Sequence, residues 1–96
     1  MYIIIRQIER QTMALEKTSL DRINRQFREM NAVAPNMWWE HGTLWIDTND
    51  TAHLRIIKDA MLEDVLDTKY TVEFNLLKAT ETEPWDQWAM DIVEAA

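Results

Sequence analysis

The apolar positions of this chain change period along its length, and each change marks an element. Leu20, Ile23, Phe27, Met30 and Ala34 follow one another at spacings of three, four, three and four, the stripe of an amphipathic helix. Continued backward, the register meets Glu16, Met13, Glu9 and Arg6, so the stripe fades near Met13. It predicts a helix over residues 13–33, opened near Thr12 or Thr18 and ended by Pro35. Residues 2–8 are rich in isoleucine and predict a first strand.

From Met37 to Asp47 the period falls to two on either side of His41-Gly42, the mark of a β-hairpin with a two-residue turn. Pairing Glu40 with Thr43 sets Trp39 against Leu44, Trp38 against Trp45 and Met37 against Ile46. Side chains alternate across a strand, so Met37, Trp39, Leu44 and Ile46 share a core-like face, while Trp38, Glu40, Thr43 and Trp45 share the other. Asp47-Thr48-Asn49-Asp50 supplies turn and cap residues, and Leu54, Ile57, Met61 and Val65 predict a second helix over 51–66. Tyr70, Val72, Phe74 and Leu76 alternate with Thr71, Glu73 and Asn75, a half-buried strand over 69–77. Pro84, placed where a first helical turn tolerates it, and the stripe Trp85, Trp88, Ala89, Ile92 and Val93 predict a last helix over 84–94.

The order β-α-β-β-α-β with an additional C-terminal helix is that of a ferredoxin-like α+β domain, in which two helices cover one face of a four-stranded antiparallel sheet. No internal repeat is visible. The other face is open unless something covers it, which decides the fate of Trp38 and Trp45. Either the last helix folds back and packs Trp85 and Trp88 on them, or they form an apolar patch that a partner covers.

Composition narrows the class. The 96 residues have the length of one domain, 1–96, and a hydrophobic fraction of 47% argues against disorder. With zero cysteines there is neither a disulfide framework nor a thiolate metal site. The opening Met1-Tyr2-Ile3-Ile4-Ile5 meets Arg6 before reaching signal-peptide length, and nothing approaches a membrane span, so a cytoplasmic protein without membrane contact is expected. Asn49-Asp50-Thr51 matches a glycosylation acceptor but reads better as a helix start.

Catalytic chemistry finds little support. Ser19, the only serine, sits among helix-capping residues, and Gly42, the only glycine, belongs to the hairpin turn, so no nucleophile elbow and no phosphate-cradling loop is present. Glu40, His41, Asp47, Asp50 and His53 lie close in sequence, yet their spacing matches no metal-ligand motif. Glu63-Asp64, Glu81 with Glu83, and Asp86 with Asp91 read as solvated faces rather than acid–base pairs. No catalytic residue, metal or cofactor is expected, and the chain is read as a non-enzyme.

Charge points to a partner. Net charge is −7, and it is uneven: residues 1–36 carry six basic and four acidic side chains, residues 37–96 four basic and thirteen acidic. Such a surface repels nucleic acid, whose binding rests on neutralised phosphates, and favours a basic protein surface. The five tryptophans suit interface anchors as well as cores. The reading that follows is an acidic interaction module, an inhibitor or regulator of the phage type, covering a basic surface such as that of a nucleic-acid-binding protein. Trp38 and Trp45 would be its apolar anchors, with Glu40 and Glu73 on the same sheet face and Asp59, Glu63, Asp64, Asp67, Glu81, Glu83, Asp86, Asp91 and Glu94 adding charge. Arg22, Arg25 and Arg28, interleaved with Asp21 and Glu29, form a solvated helix face, or a basic face that meets the acidic face of another copy in a homodimer. The alternative is a small ligand-binding or cofactor-free enzyme domain that uses the open sheet face of a ferredoxin-like dimer.

Overall fold

The computed structural model describes residues 2–78 and 85–95, with side chains from Leu15 onward except that of Lys78. The chain runs α1 (Tyr2–Glu29), β1 (Asn36–Glu40), β2 (Thr43–Asp47), α2 (Thr51–Ala60) with a π-helical turn (Met61–Val65) behind it, β3 (Tyr70–Lys78) and β4 (Gln87–Glu94). The four strands form one antiparallel sheet in the order β1-β2-β4-β3.

An α+β fold with two helices and a four-stranded antiparallel sheet is therefore present, but its connectivity is α-β-β-α-β-β and not the ferredoxin-like order. Two elements differ from expectation. Residues 2–8 are the first turns of α1 and not a strand, since no glycine or proline occurs before Pro35 to end a helix and isoleucine's strand preference is a weak force beside helix continuity. Residues 87–94 are a strand and not a helix. The run Trp88-Ala89-Met90-Asp91-Ile92-Val93 satisfies a period of two as well as one of 3.6, and the open edges of β2 and β3 select the strand.

The helix expected over 13–33 closes at Glu29. Asn31 takes a left-handed φ of 53°, and the Ala32 N–H reaches back to the Phe27 carbonyl at 2.9 Å, a capped end that leaves Met30 52% exposed. The hairpin turn behaves as read: His41 and Gly42 both have positive φ, 52° and 79°, as a type I′ turn requires, and the pairing is Glu40 with Thr43, Trp39 with Leu44 and Trp38 with Trp45. Asp50 caps α2, its Oδ1 accepting the Ala52 N–H at 2.9 Å.

The core lies between the helices and one face of the sheet. Ile23 and Phe27 of α1, Leu54, Ile57 and Ala60 of α2, and Met61 meet Leu44, Ile46, Val72 and Met90 from the strands. Met37, Trp39, Phe74, Trp88 and Ile92 close its margins. Ser19, expected at a helix cap, is instead fully buried in the middle of α1. Its Oγ donates to the Glu16 carbonyl at 2.9 Å and accepts the indole N–H of Trp39 at 3.0 Å, which lets that indole sit on the core side of β1 with its one polar group satisfied. Ser19→Ala is expected to cost about 1–2 kcal/mol in urea unfolding, because the indole N–H loses its acceptor. In a Trp39→Phe background the same substitution should be close to neutral, the signature of a coupled pair.

The order α-β-β occurs twice, and the two hairpins meet through their second strands with Trp45 opposite Ala89 at the centre. This approximate twofold arrangement is absent from the sequence as a repeat. It relates Trp45 to Ala89 and Trp38 to Asn75, the residue paired with Ala89.

Candidate binding face

The face of the sheet turned away from the helices is built by register alone. Directly paired residues point the same way, so three rows cross all four strands. One is Glu40, Thr43, Asp91 and Glu73; the next is Trp38, Trp45, Ala89 and Asn75; the third is Asn36, Asp47 and Gln87, with Lys78 at the register position opposite Gln87. Of the other eleven residues only Ala89 is buried, and no described helix lies over them.

Trp38 and Trp45 are cross-strand partners and half-buried, outside the core cluster. The expected last helix does not cover them, because residues 87–94 of it are β4. Trp88 instead lies on the helix side of the sheet, opposite Ile46, and Trp85 is 45% exposed before β4. The Nε1 of Trp45 is itself buried and has no hydrogen-bond partner among the described residues. The aromatic shelf is confined to one half of the twofold arrangement, since the corresponding positions hold Ala89 and Asn75.

The neighbouring row carries three carboxylates and no cation. Thr43 donates its hydroxyl to Asp91 Oδ1 at 2.6 Å, which orients that carboxylate. Asp91 and Glu73 face each other directly on β4 and β3, a like-charge pair of the kind that destabilises a sheet. Glu40, Glu73 and Asp91 have no ion-pair partner among the described residues. On the opposite side of the indoles Asp47 accepts a long hydrogen bond from Asn36 Nδ2 at 3.4 Å.

Of the residues expected to meet a partner, Trp38, Trp45, Glu40 and Glu73 share this face. Glu40 and Glu73 stand at its two edges, about 14 Å apart at one strand spacing per step. Asp86 is not with them. Its N–H donates to Asn49 Oδ1 at 2.6 Å and its carbonyl accepts the Thr48 N–H at 2.9 Å, which ties it to the end of the sheet where α2 begins. Glu81 and Glu83 lie outside the described residues. Asp91, expected among the partner-facing carboxylates but on a helix, joins this face through β4, a position that the alternation of residues 87–94 signals; Asp47 joins it as well without having been expected there.

The other chemistry-bearing groups sit elsewhere. Among the described residues no three histidine, aspartate or glutamate side chains come together as a metal site. His53 packs edge-on against Phe27 at 5.4 Å and hydrogen-bonds through Nδ1 to Thr48 Oγ1 at 2.8 Å, the arrangement of a structural histidine. Arg22 reaches from α1 to Asp64 in the π-turn at 2.6 Å and also bonds Gln26, whereas Arg25 and Arg28 line an open groove of about 550 Å³ beside Ala32 and Ala34. No described helix is long and apolar enough to cross a membrane.

Set against known protein families, characterised proteins and solved structures, the chain matches none, so its own geometry is what speaks to function.

Proposed function

We propose that the protein is a non-catalytic binding module whose open sheet face receives a basic surface of a protein partner, in the manner of an inhibitor or regulator. One observation carries this reading. Two indoles form a shelf on a sheet face that no described helix covers, and the adjoining row of Glu40, Asp91 and Glu73 contains no cation to neutralise it. An arginine or lysine side chain laid across the shelf places its apolar stem and π-facing cation on the indoles and its charge toward the carboxylates. A protein that binds nucleic acid presents such cations where phosphates dock, and the carboxylates would occupy those positions. The like-charge pair Asp91–Glu73 supports the same reading, because a bound cation relieves a repulsion that the free protein bears.

The test follows the five indole N–H signals of ¹⁵N-labelled protein, assigned by single Trp→Phe substitutions, during titration with an arginine-rich peptide. The signals of Trp38 and Trp45 should shift and saturate, those of Trp39 and Trp88 should hold, and affinity should fall steeply with added salt. Saturable shifts confined to other indoles, or no shift at low ionic strength, would overturn the reading. Glu73→Lys should act in two directions at once. By giving Asp91 an opposite charge across the strand pair, it should raise stability by about 0.2–1 kcal/mol, while weakening peptide binding in the same titration.

A further inference from the structure

We infer that β1 is a self-complementary edge through which two copies of this chain join their sheets into one. In a two-residue turn the closing pair, Glu40 and Thr43, exchanges both backbone hydrogen bonds, and alternation extends this to Trp38 with Trp45 and Asn36 with Asp47. The N–H and C=O groups of Met37 and Trp39 therefore point away from β2, to the outside of the sheet. Among the described residues no backbone group bonds to them.

The two outer strands differ in how they are defended. β3 carries a bulge between Leu76 and Lys78, a device that blocks edge pairing, and Lys69 and Lys78 flank its ladder. β1 has no bulge, no proline within it and no charge at its centre. Its undefended stretch is short and centred on Trp38.

A second β1 approaching antiparallel about a twofold axis at Trp38 finds a match at every position. Met37 pairs with Trp39 of the second copy, and Trp39 with Met37, giving four backbone hydrogen bonds from the groups left free in the monomer. On the core side these pairs set apolar against apolar. On the open side Trp38 lies beside Trp38 of the second copy, so the indole row continues without a break from one sheet to the other. Glu40 meets Asn36 of the second copy and never another glutamate, so the only charge in the strand faces an amide donor. The twofold axis passes through the middle residue of the five-residue strand, which is why no overhang is left unpaired. The groove between α1 and the 32–34 segment that leads into β1 carries Asp21 as well as Arg25 and Arg28, so a second α1 alongside meets both signs of charge. A head-on pairing of the open sheet faces, by contrast, would set two acidic faces, each with Glu40, Asp47, Glu73 and Asp91, against one another.

An edge contact of this length belongs to the small, transient class of interfaces, and two chains of charge −7 repel at long range. Self-association is thus weak and grows with salt, the reverse of the salt response expected for a basic partner. It stands independently of that partner.

Sedimentation equilibrium of the full chain at concentrations up to about 1 mM, the range in which weak interfaces populate, tests it at low and high salt. A monomer–dimer equilibrium is expected, stronger at high salt. Asn36→Lys, which opposes Glu40 with a cation, should tighten it; Asn36→Glu, which opposes it with a like charge, should loosen it; the double variant Asn36→Glu/Glu40→Lys should restore it. Met37→Pro removes an outward N–H without touching the β1–β2 ladder and should abolish association; should that variant fail to fold, the Asn36 series alone decides. A monomer at every concentration in both salts, or a dimer indifferent to the charge at position 36, overturns the inference.

Discussion

Phe27→Ala is expected to cost about 3–5 kcal/mol, enough to consume much or all of the 5–15 kcal/mol that holds a domain of this kind together. Three contributions meet at this residue. Its ring is fully buried among the core residues of both helices and the sheet, so truncation leaves a cavity as well as losing transfer free energy. It supports His53 edge-on, and through His53 the Thr48 hydroxyl that accepts the Asp50 N–H at 3.0 Å at the start of α2. Its carbonyl accepts the Ala32 N–H that closes α1. The backbone bond survives in alanine, so the loss expected is the side chain's. Thermal and urea unfolding followed by far-ultraviolet circular dichroism measure it. A loss under about 1 kcal/mol would mean that the core does not close around this ring as described.

Trp38→Ala should separate binding from folding in the opposite sense. The indole is half-buried on an edge strand, at the register position opposite Trp45 and on the face over which no described helix lies. Trp38 lies outside the core cluster, so removing it should cost roughly 1 kcal/mol, a modest loss for the fold. As a central anchor on the binding face it should behave as a hot spot, with a loss of about 2 kcal/mol or more and hence roughly a thirtyfold or greater fall in affinity for the arginine-rich peptide. Trp45→Phe gives the control. Because its buried Nε1 has no partner among the described residues, replacing the indole removes an unsatisfied donor, and stability should hold or rise while the flat aromatic surface is largely kept. Isothermal titration and urea unfolding on the same three proteins decide the matter. Equal losses of stability and affinity across the series would make the shelf a structural feature and remove it as a binding surface.

Where the signal was local, the chain read correctly. His41-Gly42 between two alternating runs demands a type I′ hairpin, and that turn sets the register of every residue from Asn36 to Asp47, so the separation of Trp38 and Trp45 from Trp39 and Leu44 followed without knowledge of the rest. The cap at Asp50 with the stripe from Leu54 placed α2, and the alternation from Tyr70 placed β3. The two ends of the chain read incorrectly, each for a physical reason. Short apolar runs such as Ile3-Ile4-Ile5 or Trp88-Ala89-Met90 satisfy two periods at once, and only their neighbours in space choose between them.

That choice reaches the binding face directly. Had residues 84–94 formed a helix, Asp91 would have been one acid on a solvated helix and the indoles would have had a candidate cover. As β4, residues 87–94 fill the gap between β2 and β3, bring Asp91 opposite both Thr43 and Glu73, and leave no described helix over the shelf. Asp86, grouped with the face on charge alone, is held at the sheet's end by Thr48 and Asn49, residues far from it in sequence.

The amino-acid sequence by itself thus determined what depends on a few adjacent dihedral angles: the hairpin, its register and the sorting of its tryptophans onto two faces. Only the tertiary structure decided which strands lie side by side, because pairing β4 with β2 and β3 rests on hydrogen bonds between segments whose local preferences were evenly divided. From that pairing came the acidic row, the uncovered indoles and the undefended edge of β1.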